Sequence, residues 1–503
     1  MSTIPFKSDA EAMYNAEHFS GNLFDLLPED HDCFVFKDLF EQLDTSEIEK
    51  KFSPRGQHAF HPKKLVSILI YGYTHGVFSS RQLEKRCTED LSFMYIAGMN
   101  CPNFRVLSDF RKDNPEFFHA CFKQTVELAI EMKLASLGHV SLDGSKFKAD
   151  SSKHKAMSYG HLKEKEQALC EEIEVLVARA NACDGEEDEE YKEKTGYELQ
   201  EDIKFKEQRL ETVKRAKEAL EAREETLNPG KPINDKKQIS FADTDARIMG
   251  KKGDFDYRYN GQISVDSDHQ IIVGQHVSQN ANDKEEVETA LESIEKNTGK
   301  LPEKMSLDNG YESGGNLEAL EQSSTEGYVA MGREGKSHGE SLEESNRQVV
   351  KADFDYDEEQ DCFHCPGGQK QELKSEDKNG NRVYQGDAAE CAGCQYHARC
   401  CKSQKGEART VNTDCHEGAR QRMRERMEQE ESKEVYKERK EIVEPVFGQI
   451  KNGGFRGFSV RGKEKVAGEF SLVCAGHNMK KIVKAIMTGA VRPEFGETAL
   501  QGA

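Results

Sequence analysis

With 503 residues, the chain is too long for one small core, and a length prior suggests about two to four domains. Its formal charge of −21 counts against a nucleic-acid partner on bulk grounds alone. No run of about 20 apolar residues occurs, which excludes an apolar membrane-spanning helix. Met1–Ala10 has no basic-then-apolar leader, so the expectation is a soluble intracellular protein.

The acid is unevenly spread. The windows Lys50–Lys123 and Val443–Pro493 each carry a net charge of +6, whereas Asp184–Glu190 is almost wholly acidic. Local patches of this kind decide an electrostatic footprint better than the total does.

Residues 1–50 form a polar arm with scattered Phe and Leu, to which no chemistry attaches. From His61 the pattern becomes helical, with Leu65, Ile68 and Leu69 on one face. Ser79 or Ser80 can cap a second helix, and Gln82 completes a capping-box spacing from Ser79. That helix carries Leu83, Cys87 and Leu91, with Arg81, Lys85 and Arg86 on its outside. A third helix starts near Asn103 and runs through Val106, Phe110 and Arg111. Residues 51–135 therefore suit a DNA-binding module, with Arg81 and Arg111 as candidate contacts. A helical dimerisation domain with solvated charges is the bland alternative, since no groove-reading motif is visible.

Val140-Ser141-Leu142-Asp143-Gly144-Ser145-Lys146 reads as a short buried strand that delivers a carboxylate to its C-terminal edge, where α/β proteins build sites. A turn aspartate is the bland alternative. Leu162, Leu169, Ile173 and Leu176, then Ile203, Leu210, Val213, Leu220 and Leu227, keep heptad-like spacing. Residues 159–228 are thus an antiparallel helical hairpin, either a clamp for a partner or DNA or a solvated structural arm. Asn228-Pro229-Gly230-Lys231-Pro232 ends it.

Two β-rich runs, Tyr259–Val265 and Ile271–Val277, flank Asp266-Ser267-Asp268-His269 as a hairpin. Val287, Leu291 and Ile294 mark a helix. Lys304–Leu307 is a strand leading into Asp308, Leu317 and Leu320 mark a short helix, and Gly327–Met331 is a strand. The order over 136–158 and 229–350 resembles a ribonuclease H-like fold, in which the first and fourth strands lie side by side. Asp143 and Asp308 then become neighbours.

Seven of the fourteen cysteines fall between Cys362 and Cys415. Cys362-x2-Cys365 and Cys391-x2-Cys394, followed by Cys400, Cys401 and Cys415, form a paired pattern over 351–420 that suits a closed structural zinc site. A set of reduced thiols is the alternative.

In residues 421–490, ahead of a tail at 491–503, Tyr436, Lys440 and Glu444 share a helical face, with Lys451 nearly on it. Pro445 predicts a kink or a helix restart at Glu444. Glu441 is the nearest rival to Glu444, and a charged face is often only solvated. The basic, Gly-rich run after Lys451 suits phosphate contact. Three carboxylates in one place repel unless cations sit between them. Two divalent ions roughly 3.5–4 Å apart would resolve that and support in-line phosphoryl transfer.

These stretches resemble the DDE transposases of bacterial insertion sequences. His61-Pro62-Lys63-Lys64-Leu65 through Phe110-Arg111 is similar to the helical N-terminal module of one branch. Leu142-Asp143-Gly144-Ser145-Lys146, Asp308-Asn309-Gly310-Tyr311 and Val443–Lys451 are similar to its three acidic motifs. The resemblance implies Asp143, Asp308 and Glu444 as catalytic ligands of two Mg²⁺ (or Mn²⁺) ions. It implies a Tyr-Arg-Glu-Lys signature on Tyr436, Arg439, Glu444 and Lys451. Four residues separate Arg439 from Glu444 where three are usual, so Lys440 is the alternative to Arg439. Lys451, Arg439, Tyr436 and Lys146 are then expected to contact DNA.

The branch also implies a zinc-ribbon-like insertion using Cys365, Cys391, Cys394 and Cys400, whereas raw spacing favours Cys362 as the fourth ligand. The implied activity is cleavage at transposon ends and transfer into target DNA, by a homodimer on DNA in a bacterial cytoplasm, at the nucleoid when bound. A ribonuclease H-like nuclease without strand transfer and a domesticated, non-catalytic DNA-binding protein are the rivals.

Overall fold

A computed structural model of the chain describes residues 22–53, 58–151, 156–183, 192–251, 253–332, 346–378, 380–401 and 407–492, with the single residues 7, 342 and 403. The acidic run Asp184–Glu190 lies outside the described residues.

The main sheet is built on β1 (His139–Lys148), β2 (Asp256–Asp266), β3 (Ile272–Ser278), β4 (Lys304–Leu307) and β5 (Glu326–Val329). A short strand, Arg247–Met249, joins its β2 edge. The lateral order is β3-β2-β1-β4-β5. The first three run antiparallel, whereas β4 and β5 lie parallel to β1. This α/β order is the one expected from the sequence, with the first and fourth main strands adjacent. Val140, Ser141 and Leu142 of β1 and Met305, Ser306 and Leu307 of β4 are all fully buried. A central strand covered on both faces reads as a near-continuous apolar run, and small serines fit between the larger side chains.

The helices before β1 do not form a separate core. Phe36, Ile68, Leu69, Leu107 and Phe118 belong to the same apolar cluster as Val140, Leu307 and Phe470. The late helix Lys463–Met487 joins the two regions by packing on Pro62–Thr74, on Pro115–Glu131 and on β3. Its Asn478 brackets β3, accepting from Ile272 N at 2.8 Å and donating to Ile272 O at 2.9 Å. Ser79 takes the N-cap position of Ser80–Glu89 but makes no side-chain capping bond.

Arg111 departs from its expected role. It is buried, donating to Tyr73 Oη at 3.0 Å, Phe78 O at 2.8 Å and Ser80 Oγ at 3.1 Å, and it lies 3.7 Å from Glu469. Tyr73 in turn donates to Glu469 at 3.0 Å. The guanidinium is thus consumed in tying the N-terminal helices to the late helix, and is not available to phosphate. Arg81 is exposed, with its guanidinium 4.9 Å from the Phe104 ring.

The helices Tyr159–Cys183 and Lys192–Leu227 pack on each other as the predicted hairpin. Leu162, Leu169, Val213 and Leu220 are buried there, whereas Leu227 is exposed. A second, five-stranded antiparallel sheet runs through Asp355–Asp357, Cys362–His364, Lys370–Glu376, Arg382–Gln385 and Thr410–Thr413. Phe354, Phe363, Tyr384 and Val411 make its own small core.

Because removing one partner of a buried pair strands the other charge, Arg111→Ala should cost about 3–5 kcal/mol in urea unfolding. DNA affinity of the fraction that remains folded should be unaffected. A selective loss of DNA affinity at unchanged stability would restore Arg111 to the binding surface.

Candidate active site

The parallel register of β1 and β4 pairs Leu142 with Leu307, so Asp143 and Asp308 are the next residues on adjacent strands. Both strands are buried up to these carboxylates; β4 stops there, whereas β1, expected to end at Asp143, runs on half-buried to Lys148 because it stays paired with β2. Asp143 Oδ1 accepts from Gly144 N at 2.8 Å. Asp308 caps the short turn Asn309–Tyr311, accepting from Gly310 N at 2.8 Å.

The third carboxylate arrives from a broken helix. Glu430–Ile442 ends, and Glu444–Asn452 restarts with Pro445 in its first turn, as proline's missing N–H favours. Val443 alone lies between the two helices. Arg439, not the exposed Lys440, reaches Glu444. Glu441 is exposed and offers its backbone carbonyl to Gln270.

Arg439 is 6 % exposed and stands among all three acids. Its Nη2 lies 3.1 Å from Asp143 and 3.9 Å from Asp308, and its Nη1 3.2 Å from Glu444. The acids differ in access to water. Asp143 is the most enclosed, and the Glu444 side chain is 51 % exposed.

A fourth carboxylate, Asp283, joins them. Its Oδ1 accepts from Gln262 at 2.6 Å, Asn260 at 2.7 Å and Lys146 at 3.2 Å. A Cβ on Gly144 would stand 2.9 Å from Asp283 Oδ1 and 2.3 Å from Gln262, so only glycine lets β1 pass this close. Sequence reading missed Asp283 because Gln279-Asn280-Ala281-Asn282-Asp283 looks like ordinary turn composition. The signal was positional: an acid between the hairpin and the next helix, level with the other strand ends. Lys146, expected on DNA, is paired with Asp283 in this structure.

Burial pushes the Asp143 carboxyl up to about 6. Arg439 and the Gly144 N–H oppose this, and Asp308 and Asp283 add to it. Burial likewise raises the Tyr436 hydroxyl; Arg439 opposes the shift and the three acids add to it, which places Tyr436 beside them. Lys451 is half-buried, which lowers its ammonium, while Asp143 raises it. It donates to Ser145 Oγ and lies 5.5 Å from the Phe147 ring. Seven expected residues thus gather at one place: Asp143, Asp308, Glu444, Arg439, Tyr436, Lys451 and Lys146. Arg81 and Arg111 do not join them.

Elsewhere, Cys365, Cys391, Cys394 and Cys400, with Cys401, line one small cavity. A Cβ on Gly367 would lie 2.8 Å from Cys394 Sγ and 3.6 Å from Cys365 Sγ, so the Gly367 turn folds directly over those two thiols. Among the described residues no three of these sulfurs lie within 4.8 Å of one another. Cys362, favoured by raw spacing, is not among the cavity's lining residues. Phe363 and Cys365 share the inner face of their segment, and the period of two sends Cys362 and His364 to the other.

Residues 364–483 match the family described as a transposase DDE domain. Residues 21–113 match a transposase domain (DUF772). The first match includes Arg439, Glu444 and Lys451; neither reaches Asp143 or Asp308. No curated protein and no solved structure matches the chain.

The shift at Asp143 has a stability consequence. A carboxyl held at about 6 binds its proton more tightly when folded than the ordinary unfolded aspartate, near ~3.9. Its contribution is fully present below about pH 4 and is lost as the pH rises through about 6, roughly 3 kcal/mol in all. Asp143→Asn lacks this titration. Between about pH 4.5 and 7.5, metal-free wild type should lose stability relative to Asp143→Asn. Parallel curves in denaturant unfolding would show that Asp143 titrates normally.

Proposed function

The chain belongs to the DDE transposases of insertion-sequence type, and from that premise we propose that Asp143, Asp308 and Glu444 hold the divalent cations with which it cuts and joins DNA. The observation that carries this reading is the placement of three carboxylates, from three separate segments, within 4 Å of one buried guanidinium. A site that holds a cationic group among several acids has the electrostatics of a cation site. Its donors are all carboxylate oxygens, which suits Mg²⁺ or Mn²⁺ over softer ions. Ions bound there would supply Lewis acidity and an activated oxygen nucleophile for in-line phosphoryl transfer at transposon ends, and then into target DNA.

The side chains divide the remaining work. Asp143 must give up its proton before it can act as a ligand, and its burial keeps the carboxylate oriented. Arg439 is a positioning residue: it neutralises and aligns the acids, in place of the phosphate contact expected of it. Asp283 is held by Asn260, Gln262 and Lys146 at the edge of the same site, where it extends the negative field. Lys451 and Tyr436 flank the acids and face the scissile phosphate, the lysine supplying charge and the tyrosine a hydrogen-bond donor.

Recognition of the transposon ends falls to the N-terminal helices, with Arg81 on their exposed side. Two ends must be brought together, so the active species on DNA is at least a dimer. The thiols Cys365, Cys391, Cys394 and Cys400 would hold a structural Zn²⁺; the sulfur donor set in one cavity favours it. Among the described residues no helix is long and apolar enough to cross a membrane. The reading places the protein in the bacterial cytoplasm, at the nucleoid when bound to DNA.

Asp143→Ala, Asp308→Ala and Glu444→Ala should each lower cleavage of the element's own ends by more than about a thousandfold. That corresponds to the several kcal/mol a metal contributes. DNA affinity should be nearly unchanged. EDTA should abolish cleavage, and Mg²⁺ or Mn²⁺ should restore it. Supplied with pre-cut ends and target DNA, the wild type should form joined products. Undiminished cleavage by Asp143→Ala would remove that residue from the chemistry, and cutting without joining would point to a nuclease. Lys451→Ala should weaken cleavage about ten- to a hundredfold without altering the metal requirement, at a cost of about 1.4–2.8 kcal/mol.

A further inference from the structure

We propose that Asp357, Cys362 and His364 form a metal site of their own, on the outer face of the cysteine-rich sheet, for a borderline divalent ion such as Zn²⁺. This does not depend on the thiol-lined cavity holding zinc.

The site follows from strand register. Cys362 pairs across the sheet with Asp357, and His364 lies two residues on, so all three project from one face. Phe363, between them, points the other way into the sheet's core. Cys362 Sγ is 3.8 Å from His364 Nε2, and that same nitrogen is 3.9 Å from Asp357 Oδ2. The three atoms lie within 4.8 Å of one another, the one such trio among the described residues. Separately, a thiol–imidazole contact and a surface ion pair of these lengths are weak. Together they aim one sulfur, one nitrogen and one oxygen at a common point from a single imidazole edge.

That donor set has a chemical preference. A thiolate with an imidazole favours Zn²⁺ or Co²⁺ over Mg²⁺ and Ca²⁺, which take oxygen ligands. Three protein ligands leave a fourth position open. The side chains of His364 and Asp357 are 45 % and 27 % exposed, so that position faces solvent, whereas Cys362 is buried at the base. Glu372, the cross-strand neighbour of Cys362 on the next strand, is a further carboxylate on this face. Lys370, the cross-strand neighbour of His364, is 3.8 Å from Glu372 and so is partly neutralised. A bound ion would clip Asp355–Asp357 to Cys362–His364 and stabilise the folded sheet by mass action.

The test counts metal in the full-length protein after zinc loading and exhaustive dialysis, by mass spectrometry. His364→Gln, on an exposed side chain, and Cys362→Ser should each lower the zinc content by one equivalent. Cys394→Ser should leave that equivalent in place. In cobalt-substituted protein the sulfur-to-cobalt absorption assigned to one thiolate should disappear in Cys362→Ser and persist in Cys394→Ser. Circular dichroism of His364→Gln controls for folding. Zinc content unchanged in both His364→Gln and the Cys362→Ser/His364→Gln double variant overturns the proposal. So does a single zinc per chain that Cys394→Ser removes and His364→Gln does not.

Discussion

Carboxylates gathered at the end of a sheet repel one another, and Arg439 is what this fold sets against that repulsion. At about 4 Å a pair of unit charges interacts by about 4 kcal/mol in a partly screened setting. Arg439 meets three such partners at once. The dependence runs both ways, since a guanidinium as buried as this one is tolerated only where acids surround it. Asp283 has its own counter-ion in Lys146. The charge that remains is relieved by Asp143 holding its proton to about 6. A divalent cation would complete what one arginine only partly offsets.

The precision of that arrangement comes from the core behind it. β1 runs through the middle of the sheet, and its far end is gripped by aromatic rings. Phe147 lies 5.3–6.1 Å from the rings of Phe447, Phe455, Phe458 and Phe470. Phe458 N donates to Lys148 O at 2.9 Å, so the segment after Lys451 is also hydrogen-bonded to β1. Hence the strand bearing the first acid, the helix bearing the third and the lysine beside them are anchored to one apolar cluster. Arg111 performs a similar service for the N-terminal helices, at the cost of a surface charge that sequence reading had counted as available.

In the cysteine-rich sheet, a period of two overrides sequence spacing. Cys362 and Cys365 are three apart, the spacing that elsewhere lets two thiolates reach one ion. On an extended segment three apart means opposite faces, so Cys365 turns toward Cys391, Cys394 and Cys400 while Cys362 turns toward Asp357 and His364. Whether a Cys-x2-Cys pair can share an ion depends on whether a turn or a strand lies between its members.

Much of this protein was legible in one dimension. Short apolar runs ending in Asp143 and Asp308, the proline after Glu444 and the heptad spacing of the hairpin are local signals. Local chain preference is enough to read them, so strands, helix break and acidic ends were all visible. What only tertiary structure decided were matters of neighbourhood. Arg111 and Arg81 look alike in sequence, and burial alone separates a structural tie from an exposed guanidinium. Arg439 was expected to touch DNA, and its place among the acids depends on how a broken helix folds back on β1. Asp283 carries no motif at all, and stands in the site because one glutamine and one asparagine on β2 hold it there and a glycine on β1 leaves it room. Periodicity records which way a residue faces; it does not record what the rest of the chain brings to that face, because the interactions that decide it join residues hundreds of positions apart.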